Sequence, residues 1–329
     1  MAAMGDDGLA YRLCARQYAA LAGRPVPRSG PVAHVVLLIV ALPLLLAAPA
    51  CLAAGVYLIL AGPGISPYLG LLLVALAYVV RPRLPRPPAD RWTVDRSSAP
   101  AFAYLVERVA RACGAPEPDV IALDGSMDAS STVVGVLRRR RELVVGLPLL
   151  AALTPPERVA LIAHELGHFV NHDARRGRFT EPAVLWAGYL LLAIGQRDGQ
   201  RAEYLADEIA ARVAGSGALA GMLDTLLVAD RVRQVVRAGG RDPGARQTWL
   251  DAAAYVRAGT DLDLLRRRSV REQASLCGTH PPTGLRIRMA GTREYTGPLV
   301  VLAERQSSLI DRELAPWYAR LSVCFAELP

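Results

Sequence analysis

The sequence predicts an α+β fold, a mainly helical domain with a small β-sheet, preceded by an N-terminal transmembrane helical hairpin. Two long apolar runs lie before residue 82, later segments repeat apolar residues at helical spacing, and short β-rich runs lie between residues 120 and 146. The rest of the 329-residue chain is long enough for one sizeable core. The predicted division is 1–33 as a basic segment, 34–81 as the hairpin, 82–98 as a proline- and arginine-rich linker, and 99–329 as the folded domain.

The first element is the hairpin. Val35 to Gly62 is nearly all apolar and carries no charge, and a proline-glycine turn separates it from a second apolar run, Pro67 to Val80. A hydrocarbon core needs ~20 apolar residues per helix, so the first run is long enough to cross it. Two alternatives are a cleaved signal peptide, with Ala48-Pro49-Ala50 as the cleavage site before Cys51, and a soluble buried hairpin. The apolar run starts late and continues past Cys51, which favours the membrane hairpin.

Charge predicts the orientation of the hairpin. Basic residues flank it on both sides, and the connecting turn has no lysine or arginine, so both flanks are expected in the cytoplasm of a multi-pass cell-membrane protein. The flanking residues are Arg12, Arg16, Arg24, Arg28, Arg81, Arg83, Arg86 and Arg91. A net charge of +8 fits attraction to an anionic lipid bilayer.

Nucleic acid is not expected as a partner, because the cluster Arg138 to Arg141 lies between predicted strands without interleaved aromatic residues. The five cysteines have no paired spacing, in agreement with a reducing compartment.

The folded domain is expected to begin with an amphipathic helix, Ala99 to Cys113, followed by a small sheet. The predicted strands are Val120 to Leu123, Thr132 to Leu137 and Leu143 to Gly146. Ser130 to Val134 is proposed as part of an exposed edge that receives an extended peptide as an added strand. The alternative is an ordinary half-buried strand.

Later elements follow from periodicity and turn residues. Residues 218–238 predict one long amphipathic helix, 237–246 a loop, and 302–325 a closing helical segment. The apolar run 182–196 is too short to span a hydrocarbon core that needs ~20 residues, so it predicts a buried or interfacial helix.

The most informative stretch is His164-Glu165-Leu166-Gly167-His168 within a helical, apolar pattern. Two imidazoles four residues apart lie on one face of a helix and can bind the same metal ion. Glu165 is adjacent to the first of them, where a carboxylate can accept a proton from a water molecule at the metal. The pattern predicts zinc-assisted hydrolysis of a peptide bond. The alternative is a helix whose histidines only bond to neighbouring groups.

A catalytic zinc ion needs a third protein ligand. His172 is a poor candidate, because residues 164 to 172 of a straight helix span roughly 12 Å and cannot surround one ion. Glu203 is the preferred ligand, on a second helical stretch in which Asp207 lies four residues later on the same face. Asp207 is expected behind the metal, where it would orient His164 or His168. The alternative is a solvated acidic face.

The chain resembles the membrane zinc metallopeptidases that include HtpX and the CAAX prenyl endopeptidases. The resemblance runs from about Ala99 to Ala290 and is carried by three stretches. These are GLPLLAALTPPERVALIAHELGHFVNHD, RAEYLADEIAAR from Arg201, and THPPTGLRIRMA from Thr279. It implies a zincin-like metallopeptidase domain with one zinc ion per chain, held by the two histidines and by the glutamate of an E-x-x-x-D helix.

The resemblance also implies that His280 and Arg286 lie near the active site. His280 would act in catalysis by holding the developing oxyanion, and Arg286 would bind the substrate or the oxyanion. The alternative is a capped helix start after Pro282. One departure is the spacing, since only thirty residues separate His172 from Glu203 and leave no room for the second transmembrane hairpin of membrane-embedded relatives.

The expected function is a membrane-anchored zinc endopeptidase that acts on proteins or peptides, in membrane-protein quality control or in regulated proteolysis, with Glu165 as general base. The alternative is a zinc-binding membrane scaffold or regulator without turnover. An intact Glu165 argues for the enzyme, because a purely structural zinc site has no need of a base.

Overall fold

A computed structural model describes residues 3–28, 31–80, 91–134, 140–171, 189–239, 242–275 and 280–326. The described residues form two compact units. The first draws on Met1–Arg28, Pro88–Ala174 and Gly199–Pro329, and the second on Ser29–Pro87 and Arg175–Asp198. The predicted mainly helical α+β architecture with a small sheet is confirmed in the first unit.

The second unit contains two helices, α2 at Pro31–Ala61 and α3 at Ser66–Val80. They pack closely where Gly55 meets Gly70: a Cβ at Gly55 would lie 2.7 Å from the carbonyl oxygen of Gly70. Large apolar side chains on this hairpin face outward, among them Leu60 at 81% exposure and Tyr68 at 73%.

None of the helices, taken over the described residues, has both the length and the apolar character that crossing a membrane requires.

The first unit contains a four-stranded mixed sheet in the order β1–β2–β4–β3. The strands are β1 Trp92–Val94, β2 Val120–Asp124, β3 Ala129–Val134 and β4 Arg140–Gly146. Strands β2 and β4 run parallel, whereas β1 and β3 pair antiparallel to their neighbours. The three predicted strands are confirmed over the described residues, whereas residues 135–137 of the second lie outside them. The predicted edge at Ser130 to Val134 belongs to the edge strand β3. Strand β1 lies in the predicted linker. The sequence did not predict it, because three residues are too few to show an alternating pattern.

Helices make up the rest of the first unit. They are α1 Ala3–Leu21, α4 Pro100–Cys113, α5 Leu147–Ala152, α6 Pro155–Asn171, α7 Tyr189–Ala214 (whose first residues belong to the second unit), α8 Ser216–Leu227, α9 Ala229–Ala238, α10 Arg246–Ala258, α11 Leu262–Glu272, α12 Thr283–Thr292, α13 Glu304–Glu313 and α14 Ala315–Ala326. The predicted apolar helix 182–196 lies outside the described residues up to 188, and its remainder opens α7.

One sequence prediction about a helix was wrong. The single helix expected at 218–238 is two helices, because Val228 leaves helical backbone with φ −107° and ψ 10° while its side chain is 1% exposed. The predicted closing helical segment 302–325 is confirmed, and it consists of two helices that meet at the buried Leu314. The break at Val228 could not be predicted, because the apolar periodicity continues across it.

The N-terminal segment is part of the first unit, whereas the sequence division treated residues 1–33 as separate from the domain. Cys14 is 2% exposed and accepts a hydrogen bond from the side chain of Gln200 at 3.3 Å. The backbone N–H of Val26 donates to Glu208 Oε2 at 2.8 Å. Both partners lie on α7, so residues before the hairpin hold the helix that carries Glu203.

The start of α6 is fixed by buried polar contacts. The Thr154 N–H donates to Glu157 Oε2 at 3.0 Å, which is one half of a capping box. Glu157 also accepts from Arg257 Nη1 at 2.8 Å. The fully buried Arg158 donates to the Leu150 carbonyl at 2.8 Å. The helix that carries the histidines is therefore anchored at its first turn.

Candidate metal centre

Helices α6 and α7 approach each other closely at the glycine of the motif. A Cβ at Gly167 would lie 3.0 Å from the Cα of Ala206. Ala206 stands between Glu203 and Asp207, so a side chain at position 167 would push both carboxylates away from the histidines. Sequence reasoning gave Gly167 no role. Its signal was a glycine in the middle of an otherwise well-formed buried helix, where glycine is unfavourable by about 1 kcal/mol.

His164, His168 and Glu203 form one cluster, and their ligand atoms all lie within 4.8 Å of one another. His164 Nε2 is 3.6 Å from Glu203 Oε2, and His168 Nε2 is 3.4 Å from Glu203 Oε1. A tetrahedral zinc ion with bonds of about 2.1 Å holds its ligand atoms about 3.4 Å apart. The separations around Glu203 therefore fit such an ion, and the set of two imidazoles and one carboxylate suits zinc.

The structure places Asp207 against His164. His164 Nδ1 is 3.0 Å from Asp207 Oδ1, and both side chains are almost fully buried. A carboxylate at this position holds the ring proton on Nδ1 and leaves the Nε2 lone pair directed at the cluster. Asp207 thus fixes the tautomer that a metal-binding imidazole needs.

Arg286 closes the cluster from α12. Its Nε donates to Asp207 Oδ2 at 2.8 Å and its Nη2 to Asp207 Oδ1 at 2.7 Å, which is a bidentate pair. Its Nη1 is 3.6 Å from Glu203 Oε2. Sequence reasoning placed Arg286 near the site but did not find its pairing with Asp207.

The electrostatics of the cluster favour a cation. Burial raises the pKa of Asp207, but the charge of Arg286 and hydrogen bonds from Arg286 and His164 outweigh it and lower the pKa to about 2. Burial and Arg286 lower the pKa of His164, whereas hydrogen bonds to Asp207 and Glu203 raise it to about 10. The carboxylates therefore stabilise positive charge beside the imidazole, and a divalent ion would supply it.

Glu165 and His280 complete the group of predicted residues. Glu165 is 6% exposed on α6. Burial lowers the pKa of Arg286, while the charges of Asp207, Glu203 and Glu165 raise it above its ordinary value. The His280 side chain is 65% exposed, with Nδ1 2.9 Å from Glu203 Oε2. The structure thus brings four of the predicted residues to Glu203 or Asp207, namely His164, His168, His280 and Arg286, and His280 is the exposed one. Glu165 is next to His164 on α6.

The part of the chain that contains this cluster matches a known protein family. The family model of peptidase family M48 matches residues 97–294, which include every residue of the candidate centre. The chain is 33% identical over 89 residues to protease HtpX of Glaesserella parasuis serovar 5, an alignment that covers 27% of this chain and 28% of that protein. Protease HtpX from Haemophilus influenzae strains PittEE and PittGG gives the same identity and coverage. The chain spans 28% of the length of these curated relatives. No solved structure matches it.

Proposed function

Because the chain belongs to peptidase family M48, we propose that it is a zinc-dependent endopeptidase that hydrolyses peptide bonds in protein or peptide substrates. The observation that carries the proposal is the spacing of the cluster, in which both imidazole Nε2 atoms lie 3.4–3.6 Å from the oxygens of Glu203. That donor set leaves a fourth position for the reaction, as in catalytic zinc sites.

His164, His168 and Glu203 would hold the zinc ion, and Asp207 would orient His164. Bound there, zinc would supply Lewis-acid chemistry, lowering the pKa of a water molecule toward 7 and polarising the substrate carbonyl. The charges of three carboxylates, those of Glu165, Glu203 and Asp207, all raise the pKa of one guanidinium, that of Arg286. This imbalance matches the charge of a divalent ion.

Glu165 is proposed as the general base and acid. It accepts a proton from the water molecule as the new carbon–oxygen bond forms at the peptide carbonyl. It then returns a proton to the amine nitrogen as the carbon–nitrogen bond breaks. His280 is proposed to donate a hydrogen bond to the oxyanion, and its exposure at the solvent side of Glu203 supports contact with the substrate.

The edge strand β3 is proposed to bind the substrate in extended form. It pairs with β4 on one side, and its backbone from Ser130 onward can pair with an added strand on the other. Strand β3 also packs beside α6, the helix of the two histidines. An added strand would therefore lie near the motif.

We also propose, from the apolar sequence of residues 34–81, that this segment anchors the protein in the cell membrane and leaves the peptidase domain in the cytoplasm. The charge-free run from Val35 to Gly62, the outward apolar side chains of the hairpin and the arginines on both flanks support this. The protein is expected to remain in the membrane fraction after alkaline carbonate extraction, and its C-terminus to be digested by protease only from the cytoplasmic side. Release by carbonate would contradict the anchor.

The function is tested by zinc content and casein cleavage in the purified full-length protein. We expect one zinc ion per chain, cleavage of casein, loss of cleavage when a chelator removes the metal, and recovery when zinc is added back. A chain that binds one zinc ion and cleaves neither casein nor extracted membrane proteins would support the alternative, a non-catalytic zinc-binding scaffold.

A further inference from the structure

We propose that Arg286 is a positioning residue for the metal centre, which locks Asp207 and through it His164, and that it does not bind the substrate or the oxyanion. The inference rests on the proposed function, since it concerns the same zinc site. It differs from the role that resemblance suggests for this arginine, and the two roles predict different measurements.

Two of the three side-chain nitrogens of Arg286, Nε and Nη2, are already committed to hydrogen bonds within the protein, and the third, Nη1, lies 3.6 Å from Glu203 Oε2. Two of its nitrogens bond both oxygens of Asp207 at 2.7–2.8 Å, and its side chain is 7% exposed. An oxyanion donor must point at the place where the substrate charge develops. Among the described residues of the cluster, His280 is the exposed donor at 65%, whereas the Arg286 side chain is buried.

The guanidinium of Arg286 is explained by its bidentate hydrogen bond to Asp207 and not by attraction to the metal ion. Arg286 Nη2 is 3.4 Å from His164 Nδ1 and 3.3 Å from His164 Nε2, so a full positive charge lies next to a ring that is to bind a cation. That charge by itself opposes metal binding. What Arg286 contributes is the bidentate pair of hydrogen bonds that fixes the Asp207 carboxylate. Asp207 Oδ1 in turn is 3.0 Å from His164 Nδ1.

The helix that carries Arg286 is itself locked in place. The Gly284 N–H donates to Ser269 Oγ at 2.9 Å, and Ser269 donates to the Arg266 carbonyl at 2.8 Å. A Cβ at Gly284 would overlap that carbonyl oxygen, so α12 sits directly on α11. The contacts with α11 therefore hold α12 in place, and α12 in turn positions Arg286 for its hydrogen bonds to Asp207 on α7.

The test compares Arg286→Lys with Arg288→Lys, an exposed arginine on the same helix. Lysine keeps the positive charge but cannot form the two parallel hydrogen bonds. The change therefore tests the bidentate hydrogen bond separately from the charge. We expect Arg286→Lys to weaken zinc binding about 10–100-fold in chelator competition, the range seen when an outer partner of a metal ligand is lost. At saturating zinc its kcat should return to the wild-type value with KM unchanged. Arg288→Lys should match wild type in each measurement.

Asp207→Asn tests the same link from the other side. It should weaken zinc binding by a similar factor, and the double variant with Arg286→Lys should be little weaker than either single change, because both act through one contact. Thermal unfolding of the metal-free proteins shows whether each variant folds. If Arg286→Lys does not fold, Asp207→Asn alone carries the test, and wild-type zinc affinity in it overturns the proposal.

Wild-type zinc affinity in folded Arg286→Lys, with kcat still reduced at saturating zinc, would assign the arginine to the substrate or the oxyanion. Additive losses in the double variant would also overturn the proposal. Failure of the proposed function looks different, because the wild-type chain itself would then bind no zinc or cleave nothing.

Discussion

Replacing Glu165 by glutamine is expected to remove nearly all peptide hydrolysis while the zinc ion stays bound. Glutamine keeps the shape of the side chain but cannot accept the proton of the attacking water, and loss of a general base lowers kcat about 10²–10⁴-fold. Glu165 lies next to His164 on α6 but outside the three-residue ligand cluster. The measurements are zinc content per chain and kcat on casein or a peptide derived from it.

The matched control for this change is Glu294→Gln, which removes one carboxylate from an exposed position. It should leave both zinc content and kcat at the wild-type level. A Glu165→Gln protein that retains full activity would remove Glu165 from the mechanism, and one that loses its zinc would show that the residue holds the metal.

Removing a metal ligand is expected to abolish both zinc binding and activity. His164→Ala and Glu203→Gln each leave two of the three ligands, and the loss of affinity should exceed the ~100-fold effect of losing an outer partner. Activity should vanish in parallel, because the zinc ion and the water it activates are then missing. Zinc content after gel filtration and chelator competition measure the change.

Glu208→Gln is the matched control, because Glu208 lies five residues after Glu203 on the same helix and outside the ligand cluster. It accepts hydrogen bonds from Val26 N–H, from Arg293 and from Tyr295. Its replacement should lower the free energy of unfolding by about 1–3 kcal/mol, the range for hydrogen bonds to a charged group. Zinc content should stay at one per chain. Full zinc content in Glu203→Gln would overturn the ligand set.

The local parts of the fold and of the site could be predicted because they depend on short-range spacing. The turn of an α-helix sets residues 164 and 168 on one face, and the same rule pairs 203 with 207. The capping pattern located the start of α6 correctly at Pro155. Prediction was weaker at Val228, where the apolar periodicity continues but the single helix expected at 218–238 is two.

The sequence by itself determined which residues are proposed to carry the chemistry, since the motif and the acidic pair fix the kinds of candidate ligand and their faces within each helix. Only the tertiary structure decided how the two faces meet. Gly167 permits the close approach of α7, Arg286 arrives from α12 to hold Asp207, and the segment before the hairpin holds Glu208 through Val26. These contacts join residues 39 to 182 positions apart in sequence, as Gly167 with Ala206 and Val26 with Glu208. No periodicity along the chain records such a distance, because it is set by the packing of whole elements.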